Sequence, residues 1–511
     1  MGTRILSLYK SRVKREWKIT FCMTFVIGLL VHIYKFVNYL PNHDSIWNFY
    51  SDQNMIGSGR WFLSVACAFT SYFDLPWVIG LVSIALISVS AVVIMDLFDV
   101  KNSVIMALSG GILAAFPGVT ETFFFEFTAD GFMLAMLLAS LSVRLMKIDS
   151  TWRWAPVGSV ILLSLSCGIY QAYVSFAMVL SLFYFIFELL NDRYELRDYI
   201  RWALKNLLIY ASAVCIYYIV WKVLLNIQGK EALNYQGIAS AGINLGTMIA
   251  AIPKTVRSIV LFFIERNVLK HGWTVYSACN VFFLVICAWA LCKAAYTSGV
   301  MKKTAYVLLI LLALLVLPVA MCIWYFVSDD LSYRPMMLTS IAVFYIFTLI
   351  LTEKVLGQNI KDLTAIVAVV MVMNFGLQAN ICYLMMNQAY EKTYLNGLQI
   401  ITRINELDSD SKEIAVIGEI SSSTYDRDER SESVFLLSQY LESYLLLNGN
   451  RIVSFFESSY NLDYMLADPG VLSELSADPV VQKMGCWPEG DSVAVVDGII
   501  VIKLAEVTDA Q

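Results

Sequence analysis

The stretch Pro41–Trp61, PNHDSIWNFYSDQNMIGSGRW, lies between two strongly apolar segments and carries His43, Asp44, Asp52 and Arg60. A carboxylate at such a boundary can take a proton from a hydroxyl, and an arginine can grip a phosphate with two parallel hydrogen bonds. Asp44 is the leading catalytic candidate. Residues of the same kinds recur at the ends of later apolar segments. VTETFFFEFTAD carries Glu121, Glu126 and Asp130, GIYQAY carries Tyr170 and Gln171, and VSDDLSYRP carries Asp329, Asp330 and Arg334. These residues come from distant parts of the chain, yet all sit at span ends of one kind. They are expected to share one depth and to form a single site with carboxylates for hydroxyl groups and Arg60 or Arg334 for an anion.

Each residue also has a plainer role open to it. Asp44 is followed by Ser45 and a helical pattern, which suits a helix N-cap. Asp52 suits a solvated face, Glu121 and Glu126 suit ordinary loop charges, and Tyr170-Gln171 suits a simple turn. Arg60 and Arg334 suit contact with lipid headgroups. Asp130 enters an apolar helix, where an unused carboxylate is expensive. Asp329-Asp330 has the look of a metal pair, but adjacent carboxylates are commonly just a solvated loop.

The elements that must position these residues are membrane helices. Of the 511 residues, 59% are hydrophobic and 15% charged, and the mean hydropathy is +0.66. A soluble domain carries about 25% charged residues. Apolar runs recur through residue 387, each long enough for roughly 30 Å of hydrocarbon. About 11 transmembrane helices are predicted, at 19–40, 75–97, 103–118, 129–146, 155–169, 173–190, 206–225, 273–294, 304–326, 336–352 and 364–386. Residues 247–264 are apolar but contain Pro253, Lys254 and Arg257, so an interfacial or re-entrant helix is expected there. In the first loop Ile46, Trp47, Phe49 and Tyr50 share a helical face, which predicts an amphipathic helix along the interface.

Arg4, Lys10, Arg12, Lys14, Arg15 and Lys18 place the N-terminus in the cytoplasm by the positive-inside rule. An odd number of spans then puts the tail outside. The tail, 388–511, holds 21 Asp and Glu against 8 Lys and Arg (−13), whereas 1–387 holds 20 against 28 (+8). Two domains are expected: a multi-span core, 1–387, and a small acidic extracytoplasmic α/β domain, 388–511. In the tail, helices are predicted at 388–407 and 431–447. Strands are predicted at 413–418, 451–456, 492–496 and 499–503, with Asp497-Gly498 as a hairpin turn.

Neither part resembles a nucleic-acid binder. The ten cysteines lack paired spacing, so no disulfide framework or zinc site is indicated. No phosphate-binding loop, serine-nucleophile elbow or HExxH motif is present. No cofactor is expected, and no set of oxygen ligands indicates a divalent metal.

The order of several stretches resembles the Gtr-type membrane glucosyltransferases that modify bacterial O-antigen. These are HDSIWNF with Asp44, SGRWF with Gly59-Arg60, FPGVTETFFFEFTADGFMLA with Pro117 and Asp130, GIYQAY, and the closing MGCWPEGDSVAVVDGIIVIKL. The resemblance implies a GT-C-like fold in the bacterial cytoplasmic membrane, whose first outside loop carries an acidic catalytic residue. It implies a polyprenyl-phosphate-linked sugar, typically glucose, as donor, and a cell-surface glycan as acceptor. On that footing Asp44 would be the base of an inverting displacement. Arg60 or Arg334 would stabilise the departing phosphate, and Glu126, Asp130, Tyr170 and Gln171, with Glu121 nearby, would bind substrate. An O-antigen polymerase or ligase and a lipid-linked sugar flippase remain as alternatives. Charge-poor span interiors without repeated halves argue against the flippase.

Overall fold

The computed structural model describes residues 13–48, 51–233, 244–264, 275–328, 334–407, 410–419 and 449–506. The expected helix at 431–447, the Asp329-Asp330 pair and most of the 226–271 connection lie outside them. Contacts divide the chain into two units. One comprises Met1–Val37 with Ser51–Asn380, the other Asn38–Tyr50 with Ile381–Gln511.

The first unit is built of helices. In chain order these are α1 (Arg15–Val37), then, after the short α2 (His43–Trp47) of the other unit, α3 (Leu63–Cys67), α4 (Pro76–Leu97), α5 (Ser103–Ala115), α6 (Pro117–Thr122), α7 (Glu126–Leu145), α8 (Ala155–Ile169), α9 (Tyr173–Asn191), α10 (Leu196–Gln228), α11 (Leu245–Phe263), α12 (Val275–Thr297), α13 (Thr304–Met321), α14 (Ala342–Val355) and α15 (Gln358–Glu406), whose residues from Ile381 on belong to the other unit. Among the described residues, ten helices are long and apolar enough to cross a membrane. The protein is a polytopic α-helical membrane protein.

The helices differ from the expected spans in instructive ways. α5 and α8 have 13 and 15 residues, so at 1.5 Å per residue they reach only about 20 and 22 Å. Conversely α11, expected to be interfacial or re-entrant, is one continuous helix of 19 residues with Pro253 inside it and the length and composition of a span. The charged run 191–205, expected as a connection, largely belongs to the 33-residue α10. VTETFFFEFTAD, expected as a loop, forms the buried α6 and the start of α7. Pro117 sits at the first helical position of α6, where its missing N–H is no loss.

At one end of this bundle Asp96, late in α4, gathers three partners. Lys14 Nζ donates to it at 2.9 Å, Trp17 Nε1 at 3.1 Å and Arg144 Nε at 2.7 Å. The start of α1 and the ends of α4 and α7 therefore meet there. The opposite end joins the close of α1 with the starts of α4 and α7, and the candidate residues of this unit lie there.

The second unit is a small α/β fold. Strands β1 (Glu413–Ile417), β2 (Met465–Leu466), β3 (Val493–Val496) and β4 (Ile499–Lys503) form one sheet in the order β2-β1-β4-β3. β1 runs parallel to β2 and β4, and β3 and β4 form an antiparallel hairpin. Asp497 and Gly498 turn it, both with positive φ (50° and 79°), as a two-residue turn between twisted strands requires. Alternate residues face opposite layers. Ile414, Val416, Ile500 and Ile502 join one core, and Ala415, Ile417 and Val501 the other.

Residues 451–456, expected as a strand, belong to α16 (Gly449–Tyr460). Ile452, Phe455 and Phe456 are buried at helical spacing, three and four apart, and this packing overrides the β-rich appearance of RIVSFF. The last helices are α17 (Pro469–Ala477) and α18 (Pro479–Lys483). Replacing fully buried Phe455 with Ala should destabilise this unit by about 3–5 kcal/mol. Thermal unfolding of detergent-purified protein checks this, with exposed Val495→Ala as a control expected within about 0.5 kcal/mol of wild type.

Candidate functional site

In the first unit, the candidate residues fall into three connected groups. The first centres on an ion pair. Lys35, near the end of α1, donates to Glu126 Oε2 at 2.6 Å, and both side chains are almost wholly enclosed, at 1% and 5% exposure. Charges this deep are tolerated only when paired. Glu126 Oε1 accepts no hydrogen bond from the described residues. One helical turn on, buried Asp130 accepts from the Gly131 N–H at 2.9 Å, and the Cys67 thiol of α3 approaches the same carboxylate. Asp74, just before α4, lies within electrostatic reach of Glu126, Asp130 and Lys35. Burial, then the neighbouring Glu126 charge, pushes its carboxyl up to about 7 against the pull of Lys35. Its Oδ2 has no partner among the described residues.

The second group is built on Gly59-Arg60. A turn of 3₁₀ helix, Ile56–Ser58, ends at Gly59 with φ of 79°. A β-carbon there would collide with Tyr217 and Gln171, so the position needs glycine for both conformation and space. Arg60 is thereby set over the ring of Tyr170, 5.1 Å from guanidinium to centroid, and 5.9 Å from that of Phe132. Tyr170 stacks on Phe132 at 4.5 Å. Gln171 Nε2 donates to Ser58 O and to Tyr217 Oη, both at 2.9 Å. The hairpin expected to present Tyr170 and Gln171 thus uses them to hold the Arg60 turn in place. The groups are linked by neighbours in sequence: Phe132 follows Asp130 on α7, and Cys67 follows Arg60 through α3.

The third group centres on Glu121, which is fully buried on α6. Its Oε2 accepts from the backbone N–H of Met336, at the start of the Pro335–Ile341 3₁₀ helix, and the charge of Arg334 acts on it. The Tyr170 hydroxyl donates to Met336 Sδ at 3.4 Å, which connects this group to the second. Burial raises the Glu121 carboxyl to about 8, outweighing the Met336 N–H and Arg334. The loop charge expected at Glu121 is therefore an interior acid.

Asp44 belongs to the second unit. It stands in the first turn of the five-residue α2, and the N-cap is Asn42, not Asp44. Asn42 Oδ1 accepts from the Ser45 N–H at 2.8 Å while Ser45 Oγ faces the Asn42 N–H at 3.4 Å, a reciprocal capping box. This leaves the half-buried Asp44 carboxylate out of the cap.

Sequence reasoning missed the roles of Lys35 and Asp74. Lys35 was legible as the one charge in the second half of α1, which must find a partner. Asp74 was hidden because an acid just before Pro76 looks like a helix start; the α4 N-cap is Leu75, with no side-chain capping bond. Among the described residues, no three His, Cys, Asp or Glu are grouped to hold a metal ion.

The arrangement offers carboxyl oxygens to hydroxyl donors around Glu126, Asp130 and Asp74, and a guanidinium on aromatic faces at Arg60. The sequence model of the family described as glucosyl transferase GtrII matches residues 33–375. No curated protein and no solved structure matches the chain.

Two measurements test the groups. Lys35→Met alone should strand a buried carboxylate and cost about 3–5 kcal/mol, whereas Lys35→Met with Glu126→Gln should recover most of that loss in thermal stability. For Glu121, the folded acid holds its proton from about 4.5, its ordinary value, up to about 8. Its contribution is therefore complete below pH 4.5 and lost as pH rises towards 8. The melting temperature of Glu121→Gln should gain on wild type across that window, and parallel curves would contradict the assignment.

Proposed function

Because the chain belongs to the glucosyl transferase GtrII family, we propose that it moves glucose from a polyprenyl-phosphate donor to a cell-surface glycan such as O-antigen. The reaction takes place on the outer face of the bacterial cytoplasmic membrane, with the N-terminus cytoplasmic and the acidic tail outside. What carries this reading is the grouping of buried carboxylates, with Arg60 beside them, at one end of the bundle and inside the matched segment. Sugars present many hydroxyl donors, and the Glu126, Asp130 and Asp74 oxygens are suited to accept from them.

The chemistry is one inverting displacement. The acceptor hydroxyl oxygen bonds to the anomeric carbon as the bond from that carbon to the donor phosphate oxygen breaks. Asp44 takes the hydroxyl proton, help typically worth about 10²–10⁴ in rate. The polyprenyl phosphate leaves with the bonding electron pair, and Arg60 or Arg334 stabilises its charge where it develops. Glu126 and Asp130 bind sugar hydroxyls. Tyr170 and Gln171 act by holding Arg60, and Glu121 by holding the segment that follows Arg334. The donor's lipid lies among the spans, which accounts for a sugar-transferring enzyme being embedded in a membrane.

The test is transfer of labelled glucose from polyprenyl phosphate to surface glycan in membranes, at equal expression. Asp44→Asn should lower transfer by about a hundredfold or more while the protein remains inserted. Full activity in Asp44→Asn would remove Asp44 as the base, and absence of any transfer by wild type would remove the reading altogether.

A further inference from the structure

Asn38–Tyr50, the stretch that holds Asp44, folds with the acidic tail as part of one compact unit. Four observations describe how it is held. Ile46 of α2 is buried in the same core as Ile400, Ile404, Ile452 and Phe455. α2 packs directly on α16. Tyr39 meets Tyr390 edge to face at 5.8 Å. Finally, Asp44 exerts its charge on Arg451, a half-buried guanidinium in the first turn of α16 that also feels Glu419.

The combination is more than packing. Ile46 fixes where α2 lies, and the buried Asn42–Ser45 box fixes its rotation and leaves the Asp44 carboxylate outside the cap. A general base must be held in the productive direction by groups whose own positions are fixed. Arg451 sits on the helix that contributes Ile452, Phe455 and Phe456 to the core, so its backbone is anchored by that core. A planar, always charged guanidinium can orient a carboxylate through parallel hydrogen bonds.

We infer that the tail is the platform of the catalytic carboxylate, with Arg451 the positioning residue that orients Asp44 for proton transfer. This rests on Asp44 being the base. Arg451 touches neither donor nor acceptor in this scheme and acts only through Asp44. Its loss should therefore lower kcat and leave the KM for the polyprenyl donor unchanged.

The experiment compares Arg451→Gln and Arg451→Lys, each in the wild-type and Asp44→Asn backgrounds. The readouts are transfer from polyprenyl-phosphate glucose and the melting temperature of the full-length protein. In the wild-type background Arg451→Gln should lower kcat by about a hundredfold, the scale of a small misplacement of a reacting group, and Arg451→Lys should restore a substantial part. In the Asp44→Asn background the same substitution should change nothing further, because residues acting as one unit are not additive. Equal losses in both backgrounds would overturn the inference and leave Asp44 as the base. Wild-type transfer by Asp44→Asn alone would instead overturn the assignment of the base on which the inference rests. If Arg451→Gln unfolds, Arg451→Lys carries the comparison: a partial loss of kcat that disappears in the Asp44→Asn background, with the fold intact, supports positioning, whereas an Arg451→Lys rate as low as that of Asp44→Asn, or full activity with a raised donor KM, would refute it.

Discussion

A charge enclosed in an apolar bundle must have a partner, and the Lys35–Glu126 pair meets that requirement. Its position governs much else. It ties the close of α1 to the start of α7, brings Asp74 and Asp130 into one electrostatic neighbourhood, and so concentrates carboxylates at one end of the bundle. At the other end Asp96 performs the matching task with Lys14, Trp17 and Arg144. The two ion clusters tie α1, α4 and α7 at both ends.

Around that frame the polar side chains divide their labour. Some of them hold the backbone that presents others. Gln171 and Tyr217 secure the glycine turn under Arg60, and Glu121 secures the start of the Pro335–Ile341 segment. Stacking a guanidinium on Tyr170 and Phe132 keeps a cation in an apolar setting through ring faces. For a family that acts on glucosyl groups, aromatic faces beside carboxylates are a suitable lining.

Much of this was legible in the residues. Hydropathy located the spans of α4, α7, α9, α12 and α13 closely, and Asp497-Gly498 revealed the final hairpin. The misreadings share one cause: local pattern was overruled by long-range burial. RIVSFF looks like a strand until a helical face is offered a core to fill. VTETFFFEFTAD looks like a loop until three phenylalanines, Phe123, Phe124 and Phe125, are all enclosed. Lys254 and Arg257 argued against a crossing helix in a segment whose length and composition fit one. Residue types singled out side chains that gather at one end of the helices, but no periodicity could tell which carboxylate takes an ion partner, which is a hydrogen-bonded strut, and which folds with a different part of the chain.

The joining of Asn38–Tyr50 to residues beyond Ile381 also sets an order of events during synthesis. The stretch leaves the ribosome early, directly after α1, but the sheet and α16 that complete its unit are made only after every helix up to α15. Closing so long a loop is slow compared with local helix formation, because the entropy of the intervening chain opposes it. The bundle can thus form before the Asn38–Tyr50 stretch meets the partners that complete its core. A chain halted before α16 would present its membrane helices complete and its first loop unfinished. Completion of the unit that holds Asn38–Tyr50 is therefore timed by the residues beyond Ile381.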